Sequence, residues 1–233
     1  PVVFVGSQRS ADRPSSDNVV NAVCAVEAAK SDVAEVLVCM HSDRSDGKCS
    51  LHRGTRARKN HTSRRDAFET VGQKPLGTVD YGTGDIEWRR EDEATKRGEN
   101  ELALNDGFNE NVQHVKFVPG KDASIIDESA EGVVIEGTGL GHTHTDWIDR
   151  IEAHDGVVVM TSQCLEGRVC DRVYDTGRDL LDAGVVEAED TLPETAYVKL
   201  MWVLANTEDA DEIHEAMRRD IAGELTDCSR PWT

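Results

Sequence analysis

The chain has 233 residues and a formal net charge of −19, because 45 aspartates and glutamates outnumber 26 lysines and arginines. This length suits one large domain or two small ones, and no run of about 18 apolar residues is present that could span a membrane. The acidic residues lie between apolar runs along the whole chain. The composition therefore predicts a folded protein adapted to concentrated salt, which screens repulsion between like charges.

The first forty residues predict a strand, a loop, a helix and a second strand. Residues 2–5 are apolar and β-branched, and residues 6–17 form a polar stretch with turn-forming glycine, proline and serine. Residues 18–29 carry an apolar stripe at helical spacing, with Ser15, Ser16 or Asp17 as the expected N-cap. Residues 36–40 predict a buried strand. The order is that of a βαβ unit.

Residues 44–65, the basic segment, carry eight lysines and arginines against one acid, Asp46. The segment follows the predicted strand 36–40, so we expect a long loop at a strand end, where open α/β sheets place their chemistry. A charged run can equally be a solvated loop that acidic neighbours neutralise. Beyond it, residues 65–70 predict a turn of helix, and residues 75–88 predict a hairpin that turns at Gly82 and Gly84.

Residues 89–111 are almost wholly polar and lack an apolar period, which predicts a boundary near Asn109 between domains 1–109 and 110–233. In the second domain, strands alternate with helical patterns, including 143–154, 173–184, 192–206 and 209–225. This alternation predicts a parallel sheet covered by helices on both faces.

The glycine loop 137–141 lies where a predicted strand leads into a helix, which is a common place for an anion. Its spacing is not GxGxxG, so no dinucleotide site is predicted, and Thr143 with Asp146 suggests a capping box. Six cysteines form no CxxC pair, which favours reduced thiols. No metal site is predicted from them.

The stretch VVFVGSQRSADRPSSDNVVN at 2–21 resembles the type I/II asparaginase family, and PLG at 75–77, GTGLGH, SQCLEGRV and YDTGRDLLDAGVV extend the resemblance. The resemblance implies an α/β fold with two domains and parallel-sheet cores, in which the larger domain is present only as its second half. Within the family, residues 41–68, 161–169 and 190–204 most resemble the D subunits of archaeal glutamyl-tRNA(Gln) amidotransferases.

This resemblance implies a function and partners. Such a protein hydrolyses glutamine and passes ammonia to a partner E subunit, which activates the glutamyl group on tRNA(Gln) with ATP and Mg. We therefore expect no cofactor on this chain, a cytoplasmic homodimer without a membrane, and contact with tRNA through the complex. The alternatives are a free L-asparaginase and a non-catalytic module that binds tRNA through its basic segment.

The resemblance also assigns site residues. Lys59 in ARKNHTS lies where the family has the lysine of its Thr-Lys-Asp catalytic group. Nearby arginines would disfavour its charged form, so that a neutral amine is available to take a proton. Ser7 would contact the substrate amide through its backbone, and Gly139, His142 and Glu194 are further substrate-binding candidates. The family's TGGTI-like and HGTDT-like threonine motifs do not occur in the chain. We expect an N-terminally truncated chain that is inactive alone.

Overall fold

The computed structural model describes residues 1–170 and 172–228, with Asp92 described by its backbone only. The chain divides after Ala103 into two compact units. The division lies inside the polar stretch 89–111, whereas composition predicts the boundary near Asn109. Each unit has its own sheet and hydrophobic core.

The first unit contains one helix packed on a mixed sheet. Its elements are β1 (Val2–Val5), α1 (Asn18–Lys30), β2 (Val36–His41), β3 (Lys48–Arg53), β4 (Ala57–Lys59), β5 (Phe68–Thr70), β6 (Gly77–Asp80) and β7 (Ile86–Trp88). The five-stranded sheet has the order β1-β2-β3-β6-β7, and β4 pairs with β5 in a separate two-stranded ribbon. The predicted β1-β2 parallel pair is present, while the other pairings in this sheet are antiparallel.

The helix α1 packs one side against this sheet. Val20, Cys24 and Ala28 are buried at helical spacing and share a core with residues of β2, β3 and β6. Asp17 precedes the helix, but its carboxylate binds backbone N–H groups of residues 8 and 9 instead of capping α1. The hydroxyl of Ser16 accepts a hydrogen bond from the N–H of Asn18 at 3.2 Å.

The basic segment differs from the predicted long loop. Residues 48–53 form β3 in the middle of the sheet, and residues 57–59 form half of the ribbon. The predicted helical turn at 65–70 is wrong, because residues 68–70 pair with β4 as β5. The hairpin predicted at 75–88 is present as β6 and β7.

The second unit is the predicted parallel sheet between two layers of helices. Its elements are β8 (Val112–Lys116), β9 (Gly132–Gly137), α2 (Ile148–Glu152), β10 (Val157–Ser162), α3 (Asp175–Asp182), β11 (Val186–Glu187), α4 (Pro193–Asn206) and α5 (Ala210–Arg218). The strand order is β11-β10-β9-β8, and every pair is parallel. Trp147, Ile151 and Leu180 pack on one face, while α4 and α5 cover the other through Leu200 and Met217.

Helices of this unit are shorter than the sequence predicts, and the largest differences lie between 143 and 154 and in α5. Between 143 and 154 the chain forms a 3-10 turn at 145–147 followed by α2, and the turn is capped by His144, whose side chain accepts from the N–H of Asp146, rather than by Thr143. The helix α5 ends at Arg218, because Lys199 binds the carbonyls of Met217 and Arg219 at 3.2 and 2.6 Å and holds the turn that follows. Within the described residues, no helix is both long and apolar enough to cross a membrane.

Candidate active site

The loop that carries Ser7, residues 6–9, leaves the carboxyl end of β1 and is held by hydrogen bonds on both sides of Ser7. The carbonyl of Gly6 accepts from Asn21 Nδ2 at 2.8 Å. The N–H groups of Gln8 and Arg9 donate to the two carboxylate oxygens of Asp17, each at 2.9 Å. These bonds fix the backbone that would contact a substrate amide.

The carboxylate of Asp17 holds this loop by accepting two of its backbone hydrogen bonds. Its side chain is fully buried and also accepts from Asn21 Nδ2 at 2.9 Å. Burial acts to raise the pKa of Asp17, but the hydrogen bonds from Gln8, Arg9 and Asn21 outweigh it and lower that pKa. The carboxylate therefore stays ionised and keeps accepting from both N–H groups at neutral pH.

Asn21 and His41 extend the network to the end of β2. Asn21 Oδ1 lies 2.5 Å from His41 Nδ1 and accepts from Cys49 Sγ at 3.3 Å. Both Asn21 and His41 have no exposed surface. His41 Nε2 is buried without a hydrogen bond, and it lies 3.5 Å from Asp46 Oδ1.

Lys59 is the last residue of β4 and is exposed. Its register partner is Phe68 on β5, and the ribbon is closed beyond it by the N–H of Asn60, which donates to the carbonyl of Ala67 at 2.7 Å. Thr70 on β5 is 2.8 Å from His52 Nδ1 on β3, which ties the ribbon to the sheet. The ribbon therefore presents Lys59 at an accessible position on a braced element.

Many cations of the basic segment have acidic partners. Arg53 binds Glu35 at 3.1 Å and is 8% exposed, and Arg56 is fully buried. Arg64 binds Asp66 at 2.7 Å, and Arg65 pairs with Asp46. The interpretation of a basic surface loop is therefore wrong for Arg53 and Arg56, whose burial prevents phosphate contact.

In the second unit, Gly139 and His142 belong to a tight loop at the carboxyl end of β9. Thr138 and His142 exchange backbone hydrogen bonds of 2.8 and 2.9 Å, and the carbonyl of Gly139 accepts from Ser162 Oγ at 2.6 Å. A side chain at Gly137 would place its Cβ 2.6 Å from the carbonyl carbon of Gly141, so the loop closes only with glycine there.

His142 points to α3 rather than to open solvent. Its ring meets that of Tyr174 edge to face at 5.5 Å, and Nδ1 is 3.5 Å from Thr176 Oγ1. Nε2 is buried without a hydrogen-bond partner. Glu194 is exposed in the first turn of α4, next to Pro193. Both residues remain predicted substrate contacts.

The predicted site residues divide between the units. Ser7 and Lys59 lie in the first. The hydrogen bonds that hold the Ser7 loop end at His41, whose Nε2 lies 3.5 Å from Asp46 without a hydrogen bond, and Asp46 pairs with Arg65 in the loop between β4 and β5. Gly139, His142 and Glu194 lie in the second unit. In the part of the chain that the structure describes, no group of three or more histidine, cysteine or acidic residues gathers as a metal site.

Sequence reasoning treated Asp17 only as a helix cap and missed Asn21 and His41. Asp17 and Asn21 are four residues apart and therefore share a helical face directly after a strand and polar loop. His41 ends an apolar strand. The available signal was a histidine at the carboxyl end of an apolar strand, together with two polar residues at the start of the helix that follows the first strand.

Comparison with known proteins decides the family. The model described as Asparaginase, N-terminal matches residues 1–93, and that of the Glutaminase/Asparaginase C-terminal domain matches residues 111–217. The chain belongs to the glutaminase/asparaginase family. As a member of this family, it is similar to the solved thermostable L-asparaginase from Thermococcus kodakarensis, with a TM-score of 0.87 and 29% identity over 97% of this chain and 68% of that one. L-asparaginase I from Vibrio cholerae gives a TM-score of 0.82 at 26% identity, with the same coverage of each chain.

Higher identity is found with another branch of the family. The glutamyl-tRNA(Gln) amidotransferase D subunit of Halobacterium salinarum is 63% identical over 100% of this chain and 57% of its own length. The D subunit of Haloquadratum walsbyi is 59% identical, over 100% of this chain and 53% of its own length, and that of Methanosarcina acetivorans is 55% identical over 99% and 55%. The chain thus spans somewhat more than half the length of these curated relatives. That two of these relatives come from haloarchaea is consistent with the acidic composition of this chain.

Proposed function

We propose that this family member is the glutaminase part of a tRNA-dependent amidotransferase, which hydrolyses glutamine and supplies ammonia for converting Glu-tRNA(Gln) to Gln-tRNA(Gln). The observation that carries the proposal is identity of 63% along the whole chain to an amidotransferase D subunit, against 29% to a solved L-asparaginase. The partner is an E subunit that uses ATP and Mg to activate the glutamyl group. This chain binds no cofactor, works in the cytoplasm and assembles as a homodimer.

The residues have distinct roles in this proposal. Lys59, exposed at the end of β4, carries a proton while a threonine attacks the amide carbon. The loop around Ser7 offers its fixed backbone to the substrate, and Gly139, His142 and Glu194 complete substrate binding. The sequence contains no TGGTI-like or HGTDT-like motif, so residues 1–233 by themselves should release no ammonia from glutamine. Turnover near about 1 per second by this chain alone would contradict that expectation.

A free L-asparaginase is the second candidate, and the TM-score of 0.87 to such an enzyme favours it. A non-catalytic module that binds tRNA through the basic segment is less favoured, because Arg53, Arg56, Arg64 and Arg65 are buried or paired with acids. The two enzyme hypotheses differ in what the ammonia is for. Only an amidotransferase transfers it to a glutamyl group on tRNA.

The test uses the full gene product, assembled with its E subunit in molar salt. Release of ammonia is measured with glutamine and with asparagine, and amidation of Glu-tRNA(Gln) is measured with either glutamine or ammonium chloride as nitrogen donor. Lys59→Met should lower glutamine hydrolysis by about 10² or more, the share of a positioned acid or base. Amidation from ammonium should persist, because it bypasses the hydrolysis.

Lys74→Met is the matched control, since Lys74 is an exposed lysine of the same unit outside the ribbon. It should leave each of these reactions near its wild-type rate. Hydrolysis that survives Lys59→Met would contradict the role of Lys59. A wild-type protein that hydrolyses asparagine but supports no amidation from glutamine would establish the free asparaginase instead.

A further inference from the structure

His41 makes a hydrogen bond whose direction the surrounding atoms determine. Asn21 Nδ2 faces two acceptors, the carbonyl of Gly6 and the carboxylate of Asp17, so the amide nitrogen points to them and Oδ1 points to His41. An amide oxygen can only accept, so the proton of this bond lies on His41 Nδ1. The imidazole therefore orients the side chain that holds Gly6.

The same imidazole makes few other polar contacts in its unit. Its Nε2 makes no hydrogen bond and lies 3.5 Å from a carboxylate oxygen of Asp46, which is itself paired with Arg65. A buried polar ring costs stability when one nitrogen lacks a partner. An apolar side chain would fill the space without leaving a nitrogen unpaired, so packing alone does not account for a histidine here.

We propose that His41 is a positioning residue for substrate binding, which acts through Asn21 on the loop 6–9. The inference rests on the proposed function, in which the backbone of this loop contacts the amide substrate. His41 fixes the Asn21 amide, Asn21 fixes the carbonyl of Gly6 and braces Asp17, and Asp17 holds the N–H groups of Gln8 and Arg9. Without the His41 bond, Asn21 Oδ1 keeps the 3.3 Å bond from Cys49 Sγ but loses its shorter partner, so the amide holds Gly6 and Asp17 less firmly and the loop loses part of its support.

Three substitutions of His41 distinguish the contribution of Nδ1 from that of Nε2. His41→Asn places an amide near the Nδ1 position and retains a donor toward Asn21. His41→Gln reaches toward the Nε2 position and Asp46 instead, and His41→Leu retains neither contact. Loop geometry is measured by hydrogen exchange of the folded protein, followed in a proteolytic fragment that contains residues 6–9. The N–H groups of Gln8 and Arg9 exchange faster once their bonds to Asp17 open. Glutamine hydrolysis by the full gene product gives KM and kcat.

We expect His41→Leu and His41→Gln to raise KM by about tenfold or more, as the loss of a buried hydrogen-bond partner implies, with kcat changed less than about threefold. Exchange of the loop should accelerate by a similar factor. His41→Asn should keep both KM and the exchange rate of the loop near their wild-type values. Leu37→Ala, which removes a fully buried apolar side chain from the same strand, should lower the melting temperature without changing either.

The outcomes that would overturn the proposal are distinct. If Leu37→Ala raises KM and loop exchange as much as His41→Leu at equal loss of stability, His41 is only structural. If His41→Gln restores the loop and His41→Asn does not, the contact with Asp46 is the active one and the path through Asn21 is wrong. If the wild-type protein hydrolyses no glutamine, the proposed function fails, whereas the exchange measurement still decides whether His41 sets the loop.

Discussion

His52 shows how a single buried side chain makes stability depend on pH. It lies on β3 with 2% of its surface exposed, and burial lowers its pKa from 6.5 to about 4. Nδ1 is 2.8 Å from Thr70 Oγ1, whereas Nε2 has no hydrogen-bond partner. Since the folded pKa lies below the unfolded one, the unfolded state takes up a proton first as the pH falls. The folded state is favoured fully above pH 6.5 and loses this advantage progressively toward pH 4.

We therefore predict that His52 costs the first unit about 2 kcal/mol of stability between pH 7 and pH 5, since each pKa unit corresponds to about 1.4 kcal/mol. His52→Asn retains a polar atom toward Thr70 and cannot titrate, so its free energy of unfolding should fall less over this range. Denaturant unfolding at constant molar salt measures both proteins. Parallel pH curves for the two would show that His52 does not take up a proton on unfolding.

At the scale of elements, the sequence predicts those whose apolar period is regular and misses those whose polar residues are buried. The helix at 18–29 and the strands at 2–5 and 36–40 are present with bounds within a residue. The strand β3 was missed because it buries Ser50, His52 and Arg53, which local hydrophobicity assigns to a loop. Its central place in the sheet depends on partners β2 and β6, which no local pattern contains.

In the candidate site, too, the buried polar residues could not be predicted from the sequence. The resemblance to a family was sufficient to nominate Lys59 and Ser7, but it gave no indication that Arg53 and Arg56 are buried. The network from Asp17 to His41 joins residues 24 positions apart, through a helix and across two strand ends. Sequence periodicity cannot specify such contacts, because they depend on how α1 lies on the sheet.

In the second unit, Lys199 and Glu224 join α4 to the chain after α5. The two side chains are 6% and 2% exposed, their charged atoms lie 2.6 Å apart, and Lys199 also binds the carbonyls at the end of α5. Burial acts to raise the pKa of Glu224, but the bonds from Lys199 and from the N–H of Ala222 lower it. A charge left alone at such a depth is costly.

We predict that Lys199→Met lowers the free energy of unfolding by about 3 kcal/mol or more, because it leaves a buried carboxylate without its partner. The double variant Lys199→Met with Glu224→Leu should be more stable than this single variant. Lys116→Met removes an exposed lysine from Glu136, which keeps its contact with His114 at 2.9 Å, and should cost less than about 1 kcal/mol. Chemical denaturation of the two single variants and the double variant gives the free energies of unfolding. If the loss in the double variant equals the sum of the losses in Lys199→Met and Glu224→Leu, the two residues are not coupled.

At the scale of the whole molecule, charge is the property that distinguishes this chain. The formal net charge is −19, and several cations of the first unit are paired with acidic partners, such as the buried Arg53 with Glu35 and the half-buried Arg64 with Asp66. The surplus acids therefore remain for the solvent to screen. Relatives from haloarchaea agree with a protein that works in concentrated salt.

We predict that the melting temperature falls when the salt concentration is lowered from about 2 M to about 0.1 M, because the Debye length grows from a few ångströms to about 10 Å and the acids repel one another over longer distances. Potassium chloride is the suitable salt, since sulfate would also strengthen the burial of apolar surface. Circular dichroism melts across this range measure the effect. Molar sucrose at about 0.1 M salt is the control, because it is excluded from the surface but screens no charge. If sucrose restores the melting temperature as fully as potassium chloride does, or if dilution leaves it unchanged, charge repulsion is not the cause.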